Sequence, residues 1–232
     1  MAGFGRPTSR RSPGGGAKSG MLVSMNESIV VEPLSKLRID DAAHVHAQAF
    51  AGYLNTRFGL RYTRAYFSWF VEHGESVALM AVDGTGRLCG YVVGVPIGGA
   101  SGMGRHLLRS TVTGLLRHPT VAIDRRFWSI ARSRIRRLVG RPVIEAAPPA
   151  LPEPTMDLYA IGIVGSSRGK GHGQVLLAAF EAASRSRNAQ SMRPSVYPEN
   201  TAARRAYEAA GWLPHDGAHA PGSAMYYVKL LA

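Results

Sequence analysis

Two stretches of this 232-residue chain carry residue types whose spacing makes a chemical demand. The first, Arg168-Gly169-Lys170-Gly171-His172-Gly173-Gln174, has the spelling R-x-x-G-x-G and precedes apolar residues at helical spacing, Val175, Leu176, Ala179, Phe180 and Ala183. A helix that opens behind glycines offers unpaired N–H groups and the positive end of its dipole, and the glycines let a bulky anion come close. This is a phosphate cradle. A Walker loop is excluded because Lys170 is followed by Gly171 and not by Ser or Thr, and the dinucleotide fingerprint G-x-G-x-x-G is not spelled. The second stretch runs from Asn200 to Gly211, with Tyr207 seven residues after Asn200. Asn200 can cap a short helix that Gly211 ends, and a tyrosine keeps its proton at neutral pH.

Each stretch needs elements to hold it. Asp157 to Val164 is an apolar run of strand length that feeds the glycine turn, so the unit is strand, loop, helix. Upstream, Ser28 to Leu34 reads as a strand, and Asp40-Asp41 is expected to cap a helix carrying Ala42, Val45, Ala49 and Phe50. His44 and His46 lie two apart on that helix and face different ways, which argues against a metal pair and leaves one of them to line a site. An aromatic-rich helix follows, from Arg61 to His73, with Tyr62 and Tyr66 on it; two strands, Ser76 to Val82 and Leu88 to Val95, are joined by the hairpin signal Asp83-Gly84-Thr85-Gly86. Trp212 to His215 and Ala224 to Leu230 read as the last strands, bridged by a turn-rich loop containing His219.

Both motifs, in order and spacing, resemble the GNAT N-acetyltransferase superfamily, tightly over residues 155 to 212 and more loosely over 28 to 97 and 213 to 232. The resemblance implies an α/β (α+β) fold: a mixed central sheet of about six to seven strands with flanking helices, here with a helical insertion between strands 3 and 4. It implies acetyl-CoA as acetyl donor, direct transfer to a primary amine without a covalent intermediate, and no metal. It assigns the thioester oxygen and pantetheine to the backbone of Ile161, Gly162 and Ile163. The pyrophosphate goes to Arg168, Gly169, Lys170, Gly171, His172, Gly173 and Gln174, further cofactor contacts to Asn200 and Ala203, and the proton for the departing thiolate to Tyr207. The general base departs from the pattern. Where ribosomal-protein acetyltransferases place a glutamate, this chain has Ser195; counting back as in the histone-acetyltransferase branch reaches Asp157, which either acts through water or is simply a strand-end residue. Tyr53, Asn55, Tyr62 and Tyr66 are candidates for the acceptor side. An amino sugar or other small amine, or a protein or peptide amine, is the acceptor this implies; a silent acyl-CoA sensor is the alternative from another class.

Composition bounds the rest. A chain of this length with 45% hydrophobic residues buries one core, which fits one elaborated domain over residues 21 to 232. No apolar run long enough to span a bilayer and no secretory leader pattern is spelled, so a cytoplasmic protein is expected. The single Cys89 sits in an apolar strand pattern and reads as a buried thiol. The net charge of +13 is uneven: residues 1 to 20 contribute +4 and read as a disordered basic tail, while 98 to 154 hold ten arginines against three acids. That segment, with a glycine-rich entry and a proline-rich exit, is the insertion. Leu108, Val112 and Leu115 are expected on one face of its first helix, and Trp128, Ala131, Ile135 and Leu138 form an apolar stripe on its second, with arginines opposite. A solvated cap over the core, a lid on the acceptor, a membrane-surface contact and a dimer contact are all open readings; monomer and homodimer are both open. No nucleic-acid reading motif accompanies the arginines, so no nucleic-acid partner is expected.

Overall fold

The computed structural model describes residues 29–51, 53–117, 150–215 and 224–231. The basic tail, the whole of the insertion's second helical pattern and His219 lie outside the described residues. Seven strands form one sheet in the order β1-β2-β3-β4-β5-β7-β6. They are β1 (Val30–Pro33), β2 (Val77–Val82), β3 (Leu88–Pro96), β4 (Thr155–Ile163), β5 (Ser191–Val196), β6 (Leu213–Pro214) and β7 (Met225–Leu230). Every pairing is antiparallel except β4 with β5. The described helices are α1 (Ile39–Ala49), α2 (Leu54–Arg57), α3 (Leu60–Glu72), α4 (Met103–Arg117), α5 (His172–Arg185) and α6 (Thr201–Ala209). The mixed sheet and the helical segment entering after the third strand match the expectation from sequence.

The sheet is covered on both faces, which is why β3 reads as an unbroken apolar run with no alternation. On one face α1 and α3 bury Ala42, Val45, Phe67 and Phe70 against Tyr91, Val93 and Val95. On the other, α5 lays Leu176, Leu177 and Phe180 over Val77, Val92, Met156 and Leu158. Val175, expected on the buried stripe, is 44% exposed, and Leu177 takes its place. Cys89 is buried, as expected. Asp40 and Asp41 do not cap α1 but sit in its first turn, where they complement the dipole; Asp40 also ties α1 to α3 through Arg64 at 2.7 Å.

The face of α4 differs from the expectation. Leu107, Ser110 and Gly114 turn inward, whereas Leu108 and Val112 are 59% and 50% exposed. The cause is close approach: a Cβ on Gly114 would lie 2.7 Å from the Phe58 carbonyl oxygen, so the smallest side chains, not the largest, mark the packed face. Leu115 is partly buried against the core.

Two irregularities shape the middle of the sheet. Val93 pairs with Ala160 and Gly94 with Leu158, which leaves Tyr159 as an extra residue in β4, a β-bulge that bends the strand. Opposite it, β5 contains Pro194, which brings no N–H to either neighbour; its pairing with β7 skips Arg193 and Pro194. The parallel ladder between β4 and β5 accordingly runs from Thr155↔Ser191 to Leu158↔Pro194 and stops, although both strands continue. The two strands part beyond that point.

Gly94 lies under this junction, where an added Cβ would meet the Phe180 ring at 2.5 Å and the Asp157 carbonyl oxygen at 2.7 Å. Gly94→Ala should destabilise the fold by about 1–3 kcal/mol, the usual range for overpacking. Chemical denaturation would check this, and an unchanged midpoint would show that Phe180 can move aside.

Candidate active site

The glycine turn folds as its spelling suggests. Gly169 and Gly171 adopt φ of 76° and 81°, a left-handed conformation open to glycine and costly for other residues. The second of these positive-φ positions is part of the R-x-x-G-x-G pattern; Gly169 is not, and its conformational role was invisible in the motif. Among the described residues, the N–H groups of Gly169, Gly171, His172 and Gly173 have no main-chain acceptor. Those of His172 and Gly173 are the unpaired first-turn donors of a 14-residue helix. A Cβ on Gly173 would meet nothing within 4 Å, so the space in front of these amides is open. Together these groups form a cradle that fits a phosphate.

Three residues expected at this cradle use their side chains differently. His172 is 3% exposed, and neither ring nitrogen has a hydrogen-bond partner among the described residues, so its main chain is what can face an anion. Gln174 donates through Nε2 to the Ala206 carbonyl at 2.9 Å, locking α5 to α6. Arg168 reaches the carbonyl oxygens of Ile163 and Ala49 at 3.4 and 3.5 Å, bridging the end of β4 to the C-terminal end of α1. Lys170 is exposed on the turn.

Where β4 and β5 part, a cavity of about 180 Å³ opens. One wall is Leu158 to Ile161, another the end of β5 with Ser195 and Tyr197, and a third α6 with Asn200, Ala203 and Tyr207. From the opposite face of the sheet come His46, Phe50, Tyr53 and Tyr66. Asn200 accepts a hydrogen bond from the Ala203 N–H at 3.2 Å, the expected cap, which places the start of α6 against the cavity. The helix is braced from behind by the Tyr227 hydroxyl, which donates to Glu208 at 2.5 Å and accepts from Arg204 at 3.3 Å. Tyr207 is buried on α6 against Trp212, and its hydroxyl makes no hydrogen bond to another described residue. Burial pushes its pKa above the usual tyrosine value, so it is a protonated donor at neutral pH.

Of the paired catalytic candidates, Tyr207 reaches this cavity and Asp157 does not line it. The Asp157 carboxylate pairs with Arg193 at 3.4 Å, and Arg193 lies over the Tyr226 ring at 5.1 Å. Burial raises the Asp157 pKa and the Arg193 charge opposes it, with a net rise. Gly162, expected at the cofactor, has a reason of its own: it pairs across the ladder with Tyr91, and a Cβ there would lie 2.7 Å from the Tyr91 ring. Among the acceptor-side candidates, Tyr53 and Tyr66 line the cavity, while Tyr62 packs on Phe58 with centroids 5.0 Å apart. The side chain of Asn55 lies outside the described residues. His46 lines the cavity, and His44 faces a separate one of about 620 Å³ beside Asp41 and Gln48. The two histidines do diverge, as their spacing required. No group of His, Cys, Asp or Glu able to hold a metal is present among the described residues.

Comparison with known proteins bears on the fold and the family. The family model described as Acetyltransferase (GNAT) family matches residues 44–212. No curated protein sequence matches the chain. Among solved structures, the chain is similar to a Corynebacterium glutamicum protein described as histone acetyltransferase HPA2 and related acetyltransferase, with a TM-score of 0.52 and 18% identity over 88% of this chain and 97% of that one. It is similar to a protein of Desulfovibrio desulfuricans described as an acetyltransferase of the GNAT family, with a TM-score of 0.54 and 15% identity over 88% of this chain and 100% of that one. The aminoglycoside N-acetyltransferase AAC(6')-Iy in complex with CoA gives a TM-score of 0.51 and 14% identity over 82% of this chain and 91% of that one. At these identities the likeness is one of fold.

His46 makes the site sensitive to acid. Burial lowers its pKa from 6.5 to about 4, so the unfolded chain binds a proton that the folded chain refuses. Stability should therefore fall as pH drops through the window from 6.5 to about 4, with no contribution above it. His46→Phe should flatten that part of the curve, by up to roughly 3 kcal/mol. Denaturation midpoints measured across pH would read it, and parallel curves for the two proteins would assign the acid sensitivity elsewhere.

Proposed function

Because the chain belongs to the GNAT acetyltransferase family and is thus an acetyl-CoA-dependent acyltransferase, we propose that it moves acetyl from acetyl-CoA to a primary amine in the cavity between β4 and β5. The observation that carries this reading is the parting of the two strands beyond Leu158 and Pro194. It leaves the β5-side edge of β4 without a strand partner beside a cavity lined by Ala160 and Ile161, on the strand that leads into the glycine turn before α5. A pantetheine arm can lie along the uncovered edge of β4 with its pyrophosphate on the amides of Gly171, His172 and Gly173.

In the proposed transfer the neutral amine attacks the thioester carbonyl carbon. Negative charge gathers on the carbonyl oxygen and is met by β4 N–H groups. As the C–S bond breaks, the sulfur takes the electron pair and Tyr207 gives it a proton, while the new ammonium loses one to solvent and Tyr207 regains its own from solvent. Asp157 stands outside the cavity and is turned to Arg193, which leaves it to act through water or to serve as a strand-end residue alone. The roles of Tyr207 and of the loop also argue for an enzyme over a silent acyl-CoA sensor. The narrow cavity with rings of Phe50, Tyr53, Tyr66 and Tyr159 suits a small amine whose apolar face packs on aromatics, an amino sugar among them. No described helix is long and apolar enough to cross a membrane.

Acetyl-CoA with a panel of amine acceptors, followed by thiol release, tests the activity; no release with any amine would contradict it. Tyr207→Phe should lower kcat on the order of 10²-fold while CoA affinity by calorimetry is unchanged. An unaffected turnover would return Tyr207 to packing alone. Gly173→Val should fold, since its side chain meets open space, yet weaken CoA binding by about tenfold or more by filling the cradle. Unchanged affinity would place the pyrophosphate elsewhere.

A further inference from the structure

We propose that His46 is a neutral hydrogen-bond donor to the acceptor, held as its Nε2–H tautomer by the hydroxyl of Tyr91. This rests on the cavity being the transfer site. His46 lines that cavity from α1, and its Nδ1 lies 2.5 Å from the Tyr91 hydroxyl oxygen. Tyr91 is fully buried in the central strand, and this is the hydrogen bond its hydroxyl makes among the described residues. A buried phenol proton left without an acceptor is costly. The hydroxyl therefore donates to Nδ1, and a neutral imidazole that accepts at Nδ1 carries its one proton on Nε2.

The surroundings keep the ring neutral. It packs against Phe50 at 4.8 Å and against Tyr66 and Phe67 at 5.8 Å. Among the described residues, the titratable groups that share its cavity or bond to it are phenols: Tyr91 from β3, Tyr66 from α3, Tyr53 at the start of α2, and Tyr159, Tyr197 and Tyr207. None of these supplies a negative charge at neutral pH, and burial alone lowers the imidazole pKa to about 4. His46 is thus unsuited to serve as the base, although its position beside the cavity would suggest that role. What it offers is one fixed N–H. Its complement is an oxygen lone pair near the reacting amine, as in an amino sugar or amino alcohol, and not a plain alkylamine.

The sheet itself sets this arrangement. Tyr91 pairs with Gly162, where a Cβ would come within 2.7 Å of its ring and 3.1 Å of its hydroxyl oxygen. Glycine in β4 is what lets the Tyr91 hydroxyl stay under His46.

Two measurements decide the matter. Long-range ¹H–¹⁵N correlation on the labelled full chain, with His46 assigned by signal loss in His46→Gln, should show a protonated Nε2 and an accepting Nδ1 with no titration from pH 5.5 to 8.5. In Tyr91→Phe the single tautomer should give way to a mixture. A proton on Nδ1, or a titration near 6.5, would overturn the proposal. In transfer assays, kcat/KM for a 2-amino sugar should exceed that for cyclohexylamine. His46→Phe should cost the amino sugar about tenfold or more and cyclohexylamine little, with partial rescue in His46→Gln. Equal losses on both acceptors would overturn the donor role. The NMR result does not depend on transfer, so absence of CoA binding by the wild-type chain would instead overturn the proposed function and, with it, the acceptor role of His46.

Discussion

The structure depends on one break in one ladder. Four residue pairs hold β4 parallel to β5, and beyond Leu158 and Pro194 they hold nothing. A sheet interior does not open without cause, because unpaired N–H and C=O groups inside a protein are costly. Here the opening is built in twice. Tyr159 adds a residue to β4 and turns it, while Pro194 removes a donor from β5 just where the pairing ends. The continuing main chain of β4 then needs a partner from outside the sheet, and the cavity beside it is where such a partner fits.

The other elements serve that opening. β4 runs into the glycine turn, so the same strand that is left unpaired also delivers the α5 amides. Gln174 fastens α5 to α6, and the cap at Asn200 with the brace at Tyr227 sets the position of Tyr207. From the opposite face, α1 and α3 bring aromatic side chains through to the same space. Small residues make the close approaches possible: Gly94 under the Phe180 ring, Gly162 under Tyr91, Gly114 against Phe58.

The strands, the glycine turn and the Asn200 to Tyr207 helix were legible because each is local: a period, a turn residue, a cap. The seats of His172, Gln174 and Arg168 were not, since the motif shows which residues stand at the cradle but not which way each side chain turns. Counting along β4 led to Asp157, whose fate is set by Arg193 on the neighbouring strand, a pairing no single-strand count contains. The inward face of α4 was missed because apolar size marks burial only where backbones stay apart, and Gly114 brings them together. His46 was visible as a residue of its helix; its bond to Tyr91 needed the register of the whole sheet.

Hydrogen–deuterium exchange with and without CoA tests the central claim most directly. If the parted strand is where the cofactor arm lies, CoA should slow exchange at those β4 amides between Tyr159 and Ile163 that point away from β3, and at Gly169 to Gly173, while the paired stretch from Thr155 to Leu158 stays as it was. CoA binding that leaves those β4 amides unprotected would contradict the account.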